Sequence, residues 1–475
     1  MSLEALTDQV HADLSRLAHG ADTWIRPRTS DEGHVYDVVI VGGGQSGLGA
    51  AFGLKRERVS NILVIDENPA GYEGPWDTYA RMVTLRTPKH LTAIDLGIPS
   101  LTFRAYWEAL HGSDGWAALD KIPRRDWMAY LRWYRHALAL PVINGVKLTL
   151  IEPLERGLYR LQVEGGATPT LLARKVILAT GIQGGGEWHV PPMIAGKLPK
   201  GLYAHTSERI DFAALKGKRI GILGGGASAF DNAQFALSAG VAEAHVFIRR
   251  KELPQVNPIR QMERSGMIAC FGALDDADKY AVMSSFIKHN QPPTNDTFQR
   301  ALAMPGFDLH LGAPWQDLEL EGKVVCVMTP AGRFDFDFVV ISTGLVSDPG
   351  LRPELKLVES GIVRWGDRFE APSDVANAII DAHPYLSDGF AFKGRDEATE
   401  MRLHGLFAFN YSALISLGLS ASAISGLKYA IPKLVKGVID QLFLDDREEM
   451  LGDYFAYAER EFVGEWPPVK DRKSA

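Results

Sequence analysis

The chain has 475 residues, 46% of them apolar and 23% charged, with a formal net charge of −7. It is too long for one ordinary core, so two or three domains are expected, in a composition typical of globular proteins. The acidic balance argues against nucleic acid as a partner, and two distant cysteines, Cys270 and Cys326, exclude a disulfide framework, a CxxC redox pair and a cysteine zinc site.

Residues 1–34 open with Leu3, Leu6, Val10, Leu14 and Leu17 on one helical face, followed by a Pro/Gly/Asp linker. They are expected to form a packing arm that the fold can do without. This charged, amphipathic start does not read as a signal peptide, and a cytoplasmic compartment is expected.

The run Val38 to Lys55 (VVIVGGGQSGLGAAFGLK) reads as strand, glycine turn and helix. Gly42 makes the tight turn, Gly44 lets backbone N–H groups approach a pyrophosphate, and Gly47 lets helix and strand pack closely. Gln45 and Ser46 open the helix, whose N-terminus faces the phosphates. A second buried strand, Asn61 to Ile65, ends in Asp66-Glu67, the carboxylates expected on the ribose hydroxyls. The segment Tyr79 to Lys89 (YARMVTLRTPK) follows, in position to cover a flavin lying across the sheet. A helix through Trp127, Leu131, Tyr134 and Leu138 comes next. Short strands at 147–151 and 159–163 then lead to a strand ending in Ala179-Thr180-Gly181.

The pattern then repeats. Lys218 to Leu223 is a strand, and Gly224, Gly226 and Ala229 match Gly42, Gly44 and Gly47, with Ser228 in the new turn. The next strand, Ala244 to Ile248, ends in Arg249-Arg250-Lys251, where the first unit has its acid. Guanidinium groups in that slot favour a 2′-phosphate, hence NADP(H) over NAD(H). Helical residues 278–303, broken at Pro292-Pro293, shape a substrate entrance or simply pack; both readings stay open. A second strand end, Ser342-Thr343-Gly344, echoes the first. The uncharged run Gly405 to Leu427 reads as a buried strand and a Gly/Ser loop containing Asn410, not a membrane span. A helix over Ile424 to Leu442, expected to kink at Pro432, presents its N-terminus either to a flavin pyrimidine or as an ordinary capped core helix. The fold class expected is α/β, with two Rossmann-like dinucleotide-binding domains. A discontinuous FAD domain (35–195 and 325–475) carries an inserted NADPH domain (196–324).

With these motifs in order, the chain resembles the class B flavin-dependent monooxygenases. Gly74-Pro75-Trp76 stands where the family often has Gly-Gly-x-Trp, and Ala179-Thr180-Gly181 is similar to its linker motif. Pro199 to Arg209, with Gly201 and His205, is similar to the signature F-x-G-x-x-x-H-x-x-x-Y/F and departs from it at both ends. Met82-Val83-Thr84-Leu85-Arg86-x-Pro88 with Leu101-Thr102-Phe103 resembles the amino-acid N-hydroxylases, and Ala80 falls where those enzymes place a lysine on the substrate carboxylate.

The resemblance implies FAD and NADPH as cofactors. It also implies capture of O2 by reduced flavin as a C4a-(hydro)peroxide, and transfer of one oxygen atom to a small molecule. N-oxygenation of an amine or amino-acid-like substrate is favoured, with S-oxygenation or Baeyer–Villiger insertion by the same intermediate as alternatives. A flavin reductase serving a partner, or a nucleotide-sensing flavoprotein, are the readings from other classes. The residues implied at the reacting centre are Arg86, His205 and Asn410. Trp76, Arg86, Thr180, Gly181, Thr343 and Gly344 join the glycine turns around the cofactors. Self-association is left open.

Overall fold

The computed structural model describes residues 2–20, 22–91 and 93–466. Helix α1 (Leu3–Arg16) leads to β1 (Thr29–Ser30), which folds back on β2 (Gly33–Val41). From the first glycine turn α2 (Gln45–Arg56) departs, and β3 (Ile62–Asp66) returns parallel to β2. Helices α3 (Phe103–Ala118) and α4 (Arg124–Ala137) precede β4 (Val142–Asn144), β5 (Lys147–Pro153), β6 (Tyr159–Glu164) and β7 (Thr170–Leu178). The sheet order is β4-β3-β2-β7-β6-β5, parallel as far as β7 and antiparallel beyond it. Val38 to Val41 lie in its middle, covered on both faces, which is why they form an unbroken apolar run.

The chain leaves through β8 (Gly186–Trp188) and β9 (Tyr203–His205). The second unit is built from β10 (Arg219–Leu223), α5 (Ala227–Ser238) and β11 (Glu243–Ile248). After α6 (Asp276–His289) and α7 (Asn295–Leu302) come β12 (Phe307–Leu311) and the antiparallel trio β13 (Asp317–Glu321), β14 (Val324–Thr329) and β15 (Gly332–Phe336). Last is β16 (Phe338–Ile341), which completes an all-parallel sheet of order β12-β11-β10-β16-β9. The boundary expected at 325 therefore falls inside β14. Because β16 hydrogen-bonds directly beside β10, and β14 and β15 share one apolar cluster with Phe247, Val339 and Ile341, the second unit closes at Ile341.

Return to the first unit runs through β17 (Leu345–Ser347), antiparallel to β8, so the two crossings brace each other. β18 (Leu406–Phe407) then lies parallel beside β7. The long α8 (Ile424–Asp445) continues unbroken through Pro432, and α9 (Arg447–Ala456) follows. α8 lies close against α2: a Cβ on Gly49 would come 2.4 Å from Ile431 Cδ1, and one on Gly53 2.7 Å from Val435 Cγ2. Among the described residues, no helix is long and apolar enough to cross a membrane.

One expectation changes here. The amino-terminal arm is part of the main core: Leu6, Val10 and Leu14 are buried, His11 Nε2 meets the Ala137 carbonyl at 2.9 Å, and Ser100 donates to Asp13 at 2.8 Å. Burying three such aliphatic side chains contributes about 1.5–3 kcal/mol each, so the arm is not dispensable. The 278–303 insertion packs against both units. α6 reaches the first unit through Tyr280 Oη donating to Asp381 at 2.7 Å and Ser284 Oγ donating to the Val375 carbonyl at 2.9 Å. Phe298 of α7 lies edge-on to Phe230 of α5 at 5.5 Å.

Candidate active site

The two glycine turns are built alike. Gly42 has φ +108°, and a Cβ there would sit 2.4 Å from the Ala179 carbonyl oxygen; Gly224 has φ +130° and the same conflict, 2.2 Å, with Ser342. A Cβ on Gly47 would fall 1.8 Å from the Gly42 oxygen, whereas Ala229 at the matching place of the second unit is accommodated fully buried. The middle glycines differ from their neighbours. Gly44 has nothing nearer than Gly74 at 3.9 Å, and Gly226 has nothing within 4 Å. Protein packing does not require those two to be glycine, so the space they leave suits a ligand approaching the backbone.

Asp66, buried at the end of β3, accepts from the Gly43 N–H at 2.8 Å and from the Asn68 N–H at 2.8 Å and amide at 3.1 Å. Burial raises its pKa. Its carboxylate thus braces the turn, and Glu67 beside it is exposed. A cavity of about 520 Å³ opens next to Gly43, lined by Gly71, Glu73, Met128, Leu131, Arg132 and Arg135 among others. Glu73, 4% exposed, accepts from Arg135 and from Asn144, each at 2.7 Å. Gln45 accepts from the Trp127 indole at 3.0 Å, Ser46 is buried, and the carbonyl of the buried Trp76 accepts from Arg124.

At the end of β7, Asn410 uses both ends of its amide. Nδ2 donates to the Leu178 carbonyl and Thr180 Oγ1, both at 3.2 Å, and to Gly184 at 3.3 Å; Oδ1 accepts from Ser412 N at 3.0 Å and Oγ at 2.7 Å. The residue is a clamp between two strand ends, and Gly181 turns beside it with φ +71°. In the second unit, Thr343 donates to the His189 carbonyl and Gly344 turns with φ +80°. Ser228 is exposed at the start of α5. Arg249 and Arg250 are exposed past β11; Arg250 donates to the Lys288 carbonyl at 3.2 Å, and among the described residues Arg249 has no ion pair.

Segment 79–89 stitches the units together. Arg86 pairs with Asp231 of α5, which also accepts from Thr297 at 3.3 Å, and Arg260 donates to the Arg86 carbonyl at 3.1 Å. Arg81, buried, donates to the Glu208 carbonyl at 3.0 Å and the Thr206 carbonyl at 3.4 Å. Just before those carbonyls, at the end of β9, His205 is 2% exposed and stacked on Trp188 with centroids 4.9 Å apart. Tyr79 meets Trp188 edge-on at 6.3 Å. His205 Nδ1 accepts from the Ser207 N–H at 3.2 Å, so the ring proton sits on Nε2, which has no partner among the described residues. Burial lowers the His205 pKa to about 4, and the ring is neutral at pH 7. Sequence reasoning singled out segment 79–89 without Arg81's role in it and missed Trp188, because their contacts join residues far apart in the chain.

Two family models match, one described as FAD-NAD(P)-binding over residues 39–183 and one as L-lysine 6-monooxygenase/L-ornithine 5-monooxygenase over residues 117–269. An FAD-dependent urate hydroxylase of Xanthomonas campestris pv. campestris is 62% identical over 468 residues, covering 98% of each chain. The chain belongs to the class B flavin-dependent monooxygenases.

As an NAD(P)H-dependent flavin monooxygenase it takes FAD and a nicotinamide dinucleotide as cofactors, and the two open glycine turns fit them. Its fold is that of an ornithine hydroxylase from Pseudomonas aeruginosa (TM-score 0.67, 16% identity, 86% of this chain and 100% of that one). The same holds for a Kutzneria sp. 744 ornithine N-hydroxylase bearing reduced FAD and NADP+ (0.64, 16%, 86% and 99%). A flavin-containing monooxygenase from Stenotrophomonas maltophilia is similar at 0.55, with 18% identity and coverage of 86% and 98%.

Proposed function

We propose that this monooxygenase hydroxylates urate or a purine of the same electron-rich, anionic kind, using O2 and NADPH. One observation carries the reading: the end-to-end 62% identity to a urate hydroxylase. It replaces amine N-oxygenation, since urate has no aliphatic amine. Ala80, in the slot of the carboxylate-binding lysine of the amino-acid N-hydroxylases, suits a substrate without an α-carboxylate.

The first turn and the α2 N-terminus hold the FAD pyrophosphate, with Asp66 or Glu67 at the ribose and the cavity beside Gly43 for the adenosine end. Gly224, Gly226 and Ala229 hold the NADPH pyrophosphate, and Arg249 with Arg250 the 2′-phosphate. When bound, the flavin supplies the redox chemistry that divides O2 between product and water. The protein residues position and protect. Arg81 and Arg86 hold the two units in register, and Asn410 fixes the β7 strand end. Tyr79, Trp188 and His205 close the seam against water, and the His205 Nε2–H is a neutral donor there.

The test is NADPH and O2 consumption by the flavin-loaded enzyme with urate, ornithine, lysine, a simple amine, a sulfide and a ketone. Urate should stimulate both, in equal amounts, with loss of the urate absorbance and little peroxide release. Coupled turnover with ornithine or an amine, and none with urate, would restore N-oxygenation.

A further inference from the structure

On the face of the second sheet opposite α5, adjacent parallel strands bring four ligand-type side chains together. In β11, Glu243, His245 and Phe247 share one face by the two-residue period, and in β12 Asp308 and His310 do the same. The register pairs His245 with Asp308 and Phe247 with His310, so all of them stand side by side. We propose that His245 Nδ1, His310 Nε2 and an Asp308 carboxylate oxygen form a binding site for a divalent transition metal of the zinc class, with a fourth position left for water.

Distances carry the argument. His245 Nδ1 and His310 Nε2 are 3.1 Å apart, and Asp308 Oδ2 is 3.5 Å from the same His310 nitrogen. A tetrahedral site with bonds of about 2.1 Å separates its ligand atoms by about 3.4 Å, so both spacings are those of an edge. The ring centroids are 5.2 Å apart with planes 19° from parallel. With nitrogens 3.1 Å apart, such rings must point edge to edge, lone pair towards lone pair. Without a metal one of the two nitrogens must carry the shared proton; metal binding releases it.

The surroundings match a built site. His245 turns its other nitrogen, Nε2, towards Glu243 at 3.4 Å, the carboxylate partner that orients a ligating imidazole from behind. Phe247 stacks on His310 at 4.5 Å, Phe334 stands edge-on to it at 4.7 Å, and Phe336 meets His245 at 5.5 Å. This aromatic floor limits water on one side, and the exposed Asp308 leaves an entry on the other.

The experiment is calorimetric titration of the flavin-loaded protein with Zn2+ at pH 7.5, alongside metal analysis after dialysis. One ion per chain is expected. His310→Gln and Asp308→Asn should each weaken binding at least about 10-fold, and Glu243→Gln by about 10–100-fold, with bound flavin and melting temperature in zinc-free buffer unchanged. Asp308 is exposed on an edge strand, so its variant reports even if His310→Gln folds poorly. Affinity unchanged in Asp308→Asn and Glu243→Gln, or binding abolished by Cys270→Ser, would overturn the proposal and leave a plain N–H···N hydrogen bond between the strands.

Discussion

Asp66 and Arg249 occupy matching slots after the second strand of each unit, yet the folded chain uses them differently. Asp66 is buried and satisfied by Gly43 and Asn68, while Arg249 is exposed and, among the described residues, without an ion pair. A charged hydrogen bond contributes about 1.5–3 kcal/mol. Arg249→Asp removes one and adds repulsion, so the KM for NADPH should rise roughly 10–100-fold while that for NADH moves less than about 3-fold. Steady-state kinetics with both nucleotides checks this; equal effects would remove the 2′-phosphate from Arg249. At the same scale Asn410 stands out for having no hydrogen-bonding capacity to spare. Its amide joins Leu178, Thr180, Gly184 and Ser412, an arrangement suited to holding strand ends, not to reacting.

Among the elements, the β2 turn into α2 separates two roles that one glycine motif hides. The third glycine faces backbone and the second faces open space. Gly47→Ala should therefore displace the turn itself, with the apoprotein melting several degrees lower and flavin lost. Gly44→Ala should leave apoprotein melting within about 1 °C of wild type, since small unclashing surface changes cost under about 0.5 kcal/mol, yet retain little FAD. Flavin content by absorbance and apoprotein melting curves separate the two; parallel losses would show that Gly44 serves packing. The α2–α8 contact follows the same logic, with Gly49 and Gly53 admitting Ile431 and Val435.

For the whole molecule, the two units are joined by the β8–β17 pair, the Arg81 carbonyl contacts and the Arg86–Asp231 ion pair. Stability should fall on mild acidification. Burial lowers His205 and His383 to about 4, so below the ordinary value near 6.5 the unfolded chain takes up protons that the folded chain refuses. Their contribution is complete above about pH 6.5 and is lost as pH falls towards 4, up to about 3 kcal/mol for each. Asp37, raised by burial to about 6, runs the other way and offsets one of them. Denaturant midpoints at pH 7, 5.5 and 4.5 should therefore decline, and His383→Gln should flatten the decline. A midpoint independent of pH over that range would refute this.

The sequence by itself determined the α/β class, the two nucleotide units and their cofactors. Those signals are local: a glycine where only φ above zero will do, a small residue where a helix starts, an acid or an arginine one strand later. Only the tertiary structure decided that β16 belongs to the second sheet, that α1 is core, and that Arg81, Trp188 and His205 meet at the seam. Such contacts join residues from tens to hundreds of positions apart, where no periodicity marks a partner. They depend on how two separately legible units dock, and docking is set by surface shape and charge that a linear pattern does not encode.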